Sequence, residues 1–111
     1  MNAKQKGNAF ERKIANDIKE YGLDKNARRS IMSGAVFEAG DLKTKLDYYI
    51  ECKHRKKINV YSFWHQIKRE VSKHIGTRKK PLVVMRKDGE DILAVLDWYD
   101  FLNLLAELGE K

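Results

Sequence analysis

Cysteine and proline each occur once in 111 residues, and glycine only seven times. A single cysteine builds no disulfide framework, which excludes the stapled secreted scaffolds and fits a reducing cytoplasm. Scarce proline and glycine exclude linker-like and collagen-like chains and predict a chain folded nearly throughout. No apolar run approaches the roughly 20 residues of a membrane span. The polar, basic N-terminus has no apolar signal-peptide core, so no membrane contact is expected. Acid is also scarce over most of the chain. Residues 1–87 hold 22 Lys/Arg against 9 Asp/Glu, a net of +13, whereas residues 88–111 hold 1 against 7, a net of −6. This polarity suits a polyanion-binding body with its acidic end turned elsewhere. The length predicts one domain over 1–111, with residues 1–7 as a flexible basic arm.

The apolar spacing Phe10, Ile14, Ile18, Tyr21 predicts a helix from Asn8 to a stop at Gly22. Residues 27–32 predict a first strand, Asp41 opens a short second one, and the branched and aromatic tract Tyr48–Arg55 a third. A helix capped by Asn59 or Ser62 carries Val60, Phe63 or Trp64, Ile67, Val71 and Ile75, ending at Gly76. Leu82–Arg86 and Ile92–Leu96 read as strands joined through Lys87-Asp88-Gly89. Asp97 caps a last helix whose Trp98, Phe101, Leu102, Leu105 and Leu108 lie to one side, with Leu104 widening the band. The same pattern fits a buried core helix or an interface helix. The order α-β-β-β-α-β-β-α is that of an α/β domain with helices packed on a small mixed central sheet.

Chemistry concentrates at Glu51-Cys52-Lys53, preceded by Gly40-Asp41-Leu42. Side chains alternate along a strand, so Glu51 and Lys53 share one face while Ile50 and Cys52 share the other, which suits a core. An Asp, a gap and then acid-any-lysine is the pattern of a metal-dependent phosphodiesterase. Two hard carboxylates suit Mg²⁺, with Mn²⁺ able to substitute, and a lysine beside them can orient or deprotonate water. A solvent-facing Glu51–Lys53 pair without a task is the alternative, and Asp47 or Glu38 competes with Asp41 for the ligand role. The carbonyl of Cys52 is a candidate further ligand. Arg12, Arg28 and Arg29 are candidate phosphate clamps. His54, Arg55, Lys56 and Lys57 after the third strand, and Arg78, Lys79 and Lys80, form two basic clusters suited to phosphate contact. His54, His65 and His74 have no zinc-ligand spacing.

The set Lys6-Gly7-Asn8-Ala9-Phe10-Glu11-Arg12, Arg28-Arg29-Ser30, Ser33-Gly34, Gly40-Asp41-Leu42 and Ile50-Glu51-Cys52-Lys53 resembles the archaeal-type Holliday junction resolvases. These belong to the PD-(D/E)xK nuclease superfamily. The likeness covers residues 6 to about 57, and the remainder only by element order. It implies a restriction-endonuclease-like fold and a Mg²⁺-dependent homodimer that nicks opposite strands of a four-way DNA junction, in recombination and repair. It implies Asp41 and Glu51 as metal ligands, Lys53 as the catalytic lysine, and Glu11 as a helix glutamate holding metal directly or through water. Arg12 and Arg29, or Arg28 in its place, would lie near the scissile phosphate, with Ser33 and Gln66 as polar residues nearby. It implies no small-molecule cofactor, and a cytoplasmic setting, nucleoid-associated or, if phage-encoded, in a host. Gly40 stands where the superfamily's name has proline. Other readings are a nuclease of restriction, repair or transposition type, a catalytically silent nucleic-acid-binding module, or a basic RNA binder.

Overall fold

Tyr48–Arg55 forms the strand that organises the molecule. The computed structural model describes residues 1–30, 40–74 and 76–110. Along this strand, β3, Ile50 and Cys52 turn to one face and Glu51 and Lys53 to the other, as the alternation predicts. β3 pairs in parallel with β4 (Lys80–Lys87), and β4 pairs antiparallel with the short β5 (Leu93–Val95), giving a mixed three-stranded sheet. Two further short strands, β1 (Arg28–Arg29) and β2 (Leu42–Lys43), form their own antiparallel ribbon. The element order α-β-β-β-α-β-β-α is the expected one, and residues 31 and 32 of the expected first strand lie outside the described residues.

Each face of the sheet carries one helix. Helix α1 (Ala3–Glu20) packs Phe10, Ile14, Ala15 and Ile18 against Ile50, Cys52, Ala27 and Leu42. Helix α2 (Val60–Ser72) seats Ile67 against Val83 and Met85 on the opposite face, with Phe63, Trp64 and Val71 around it. The register explains the division. Ile50 lies beside Leu82 and Cys52 beside Val84 toward α1, whereas Glu51 lies beside Val83 and Lys53 beside Met85 toward α2. Burial pushes the Cys52 thiol far up, as expected of a core thiol.

One expectation is corrected at the start of the chain. Residues 1–7 are not a loose arm. Asn2 accepts from the Gln5 N–H at 2.8 Å while the Gln5 side chain accepts from the Asn2 N–H at 3.1 Å, and this capping box starts α1 at Ala3. Helix α3 (Trp98–Gly109) is capped by Asp97 as predicted, and it buries no residue, which decides against the core-helix reading.

Candidate active site

Asp41 reaches β3 through a tightly specified turn. Gly40 has φ of 79°, and a Cβ there would meet the Ile50 carbonyl oxygen at 2.7 Å, so only glycine fits. Its N–H donates to Glu70 Oε2 on α2 at 3.1 Å. The Asp41 N–H donates to the Ile50 carbonyl at 2.7 Å, and its own carbonyl accepts from the Ser30 N–H at 2.8 Å. Its side-chain Oδ2 accepts from the Cys52 N–H at 2.7 Å. These bonds hold the carboxylate alongside the middle of β3.

Glu51 is 3% exposed. Its carboxyl is pushed up to about 8, first by burial, then by the charge of Asp41 and a side-chain hydrogen bond with it; Glu70 adds to the rise and Lys53 opposes it. Lys53 Nζ lies 3.4 Å from Glu51 Oε1 and 5.5 Å from the centre of the Phe63 ring, so α2 positions the ammonium from behind. Asp41, Glu51, Cys52, Lys53 and Arg55 line one open cleft of about 280 Å³ together with Ala3, Lys4, Gly7, Asn8 and Glu11 of α1.

The sequence-derived residues divide into those in this cleft and those elsewhere. Glu11 lines it, with Oε2 2.8 Å from Arg29 Nε; Arg29 also donates to Asn8 Oδ1 at 2.9 Å. Arg29 therefore closes one side of the cleft through Glu11. Arg12 and Arg28 are exposed beside Arg29 in a separate hollow on α1. Lys56, Lys57 and Lys80 are exposed and Gln66 is half-buried on α2. Arg78 and Lys80 line a cleft beneath α3.

Two residues expected as free phosphate contacts are engaged internally. The His54 ring packs on Phe10 and its Nε2 lies 3.1 Å from Asp88 Oδ1, while burial and then the Lys6 ammonium lower its proton affinity. Lys79 donates to the Thr44 carbonyl at 2.7 Å and sits over Tyr49. Ser33, and Glu38 as an alternative ligand, lie outside the described residues.

Sequence reasoning missed Glu70. Its signal was available, because Glu70 follows Gln66 by four positions and so lies one turn along the same helix face. Phe63 was read only as an apolar stripe residue, and Asp88 only as a turn residue. Asp88 in fact binds Lys6 at 2.7 Å as well as His54, tying the start of α1 to the β4–β5 turn.

This pair of carboxylates beside a lysine coincides with a match at family level. The family model described as phage putative PDDEXK endonuclease matches residues 2–110. The chain belongs to this family. No curated protein and no solved structure matches it. Membership supports a nuclease of the PD-(D/E)xK superfamily, and the mixed sheet flanked by helices agrees with the restriction-endonuclease-like fold. The resemblance to junction resolvases is thereby supported at the level of the superfamily. Such nucleases generally use divalent metal ions. The residues fit one: Asp41 and Glu51 are hard oxygen donors, and their mutual bond marks a place where a cation can replace a proton. Among the described residues no three His, Cys, Asp or Glu side chains gather closely enough to hold a metal, and those described offer the two carboxylates Asp41 and Glu51. Also among the described residues, no helix is long and apolar enough to cross a membrane.

Proposed function

We propose that this endonuclease is a Mg²⁺-dependent enzyme that cleaves branched DNA, with the four-way junction as its substrate and a homodimer as its working form. The observation that carries the reading is the convergence of Asp41 and Glu51 with Lys53 at 3.4 Å on one edge of a cleft, in a chain of an endonuclease family. Asp41 and Glu51, with the Cys52 carbonyl, would hold the metal. When bound, it supplies charge neutralisation at the scissile phosphate and makes water more acidic. Glu51 would hold the cation as a carboxylate, and the bonds at Gly40 and Asp41 keep the second carboxylate alongside β3. Lys53 orients the attacking water against the phosphorus, and its ammonium stabilises charge on the phosphate oxygens.

Glu11, held by Arg29, accepts a hydrogen bond from a water on the α1 side of the cleft. Arg55 on its rim, with Arg12, Arg28, Lys56 and Lys57 beyond, contacts the flanking backbone, and their positive charge makes binding strongly salt-dependent. Two symmetric scissile strands require two sites in fixed relation, which a two-fold dimer provides.

The test is cleavage of a labelled four-way junction beside a matched linear duplex, with Mg²⁺ and with EDTA. Junction cleavage that needs Mg²⁺ and vanishes in Asp41→Asn and Glu51→Gln, with binding retained, is the expected result. Equal cleavage of duplex and junction would replace the branched substrate with plain DNA. Cleavage that persists in EDTA would remove the metal reading.

A further inference from the structure

Helix α3 turns the wrong side to solvent. Trp98, Phe101, Leu102, Leu105 and Leu108 are between 38% and 65% exposed, while Asp100, Asn103 and Glu107 face the body across a cleft lined by Tyr48, Arg78 and Lys80. An amphipathic helix on a protein surface ordinarily does the reverse. Leu104 lines the same cleft, and the stripe from Trp98 to Leu108 is turned away from the body. A contiguous apolar face of this kind marks an interaction surface.

The spacing says what kind of surface covers it. Trp98, Phe101, Leu105 and Leu108 recur at intervals of three, four and three, the a/d seam by which one helix packs along another. The seam is also self-complementary. About a two-fold axis beside position 103, an antiparallel copy sets Trp98 against Leu108 of the partner subunit and Phe101 against Leu105 of the partner subunit. Each layer then pairs an aromatic ring with a leucine, and the same two contacts repeat on both sides, as a two-fold interface requires.

Charge sets what the seam must overcome. Residues 1–87 carry a net of +13, whereas the segment from Asp88 to Glu110 contains seven acids and no Lys or Arg. The acidic end keeps this helix away from DNA, and two such ends repel each other, so apolar burial along the seam has to exceed that repulsion. No charged side chain lies on the seam itself, and antiparallel helices align their dipoles favourably.

We propose that α3 is the dimerisation element, two copies packing antiparallel through Trp98, Phe101, Leu105 and Leu108. This rests on the homodimer reading above and gives it a surface. Three turns of helix make a small interface.

The experiment is sedimentation of the full chain over about 1 to 100 µM, for the parent and for Leu105→Glu, with circular dichroism to confirm folding. A parent dimer that becomes monomeric throughout the range in Leu105→Glu supports the seam. A monomeric parent overturns it, as does a dimer that Leu105→Glu leaves intact. A monomeric parent whose melting temperature falls in Leu105→Glu would show that the stripe packs within its own chain.

Oxidative crosslinking tests the register. Phe101→Cys chains mixed with Leu105→Cys chains should crosslink faster than either alone. Faster crosslinking of Leu105→Cys alone overturns the antiparallel arrangement. Junction cleavage by the parent is read in the same samples. A monomer that cleaves removes the surface and leaves the nuclease, and a dimer that cleaves nothing does the opposite.

Discussion

Replacing Glu51 with glutamine should stabilise the metal-free protein, by an amount that depends on pH. The Glu51 carboxyl goes from its ordinary 4.5 in the unfolded chain to about 8 in the folded one, chiefly because it is buried and faces Asp41. A raised carboxyl favours folding in its protonated form. Its contribution is therefore fully present below pH 4.5 and is lost as pH rises through 8. At about 1.4 kcal/mol per pH unit, folding at pH 7 costs about 3 kcal/mol at this residue, rising toward 5 kcal/mol above pH 8. Glutamine keeps the shape and removes the cost. In EDTA, Glu51→Gln should be about 2 to 3 kcal/mol more stable than the parent at pH 7, a melting shift on the order of 10 °C. The gain should vanish near pH 4.5 and grow by pH 8.5. Comparing the two proteins at each pH by calorimetry cancels groups of opposite sign, such as Asp24. Mg²⁺ should restore the parent increasingly as pH rises and leave Glu51→Gln unchanged. A gain that is absent at pH 8.5, or the same at every pH, refutes the account of a carboxylate held ready for a cation.

Glu70→Ala should weaken Mg²⁺ or Mn²⁺ binding about tenfold by calorimetric titration, because the Gly40 N–H loses its acceptor, whereas Glu70→Gln, which can still accept, should stay near the parent. Equal loss in both would assign the effect to charge. Lys53→Ala should slow cleavage by about 100-fold or more with DNA affinity nearly unchanged in a binding titration; a parallel fall in both would make Lys53 a binding residue. Asp24→Ala should lower the melting temperature at pH 7, since its carboxylate accepts from the N–H groups of Asn26 and Lys45 at 2.9 and 2.8 Å. Those bonds hold its proton affinity below the ordinary value, so the deficit should shrink as pH falls below 4, and a deficit constant with pH argues against them.

Local pattern made most of the elements legible. The residues of β3 were correctly bounded because branched and aromatic side chains fill one uninterrupted tract, and Asn59 and Asp97 announced α2 and α3 by side-chain oxygens that cap backbone N–H groups. The shared face of Glu51 and Lys53 was legible for the same reason, since period-two alternation along β3 fixes it. What escaped depends on contacts between distant segments. Glu70 acts on a glycine 30 positions away, His54 is occupied by Asp88, and Lys79 by the Thr44 carbonyl. No periodicity encodes such partnerships. The start of α1 was misplaced by five residues because its charged first turns carry no apolar stripe, although Asn2 and Gln5 spelled a capping box. The α3 stripe stayed open between core and interface because a helical wheel shows that a stripe exists and says nothing about which way it turns.

Gly40 changes what the superfamily's name means for this chain. A proline has φ near −65° and no N–H, whereas position 40 has φ of 79° and donates to Glu70. The proline–aspartate signature and this entry to the aspartate are therefore mutually exclusive conformations. A search for the literal motif overlooks such chains, and a well-meant Gly40→Pro repair would dislodge the aspartate it was meant to frame. The useful fingerprint here is a left-handed glycine before the aspartate together with an acceptor on the helix that crosses behind it.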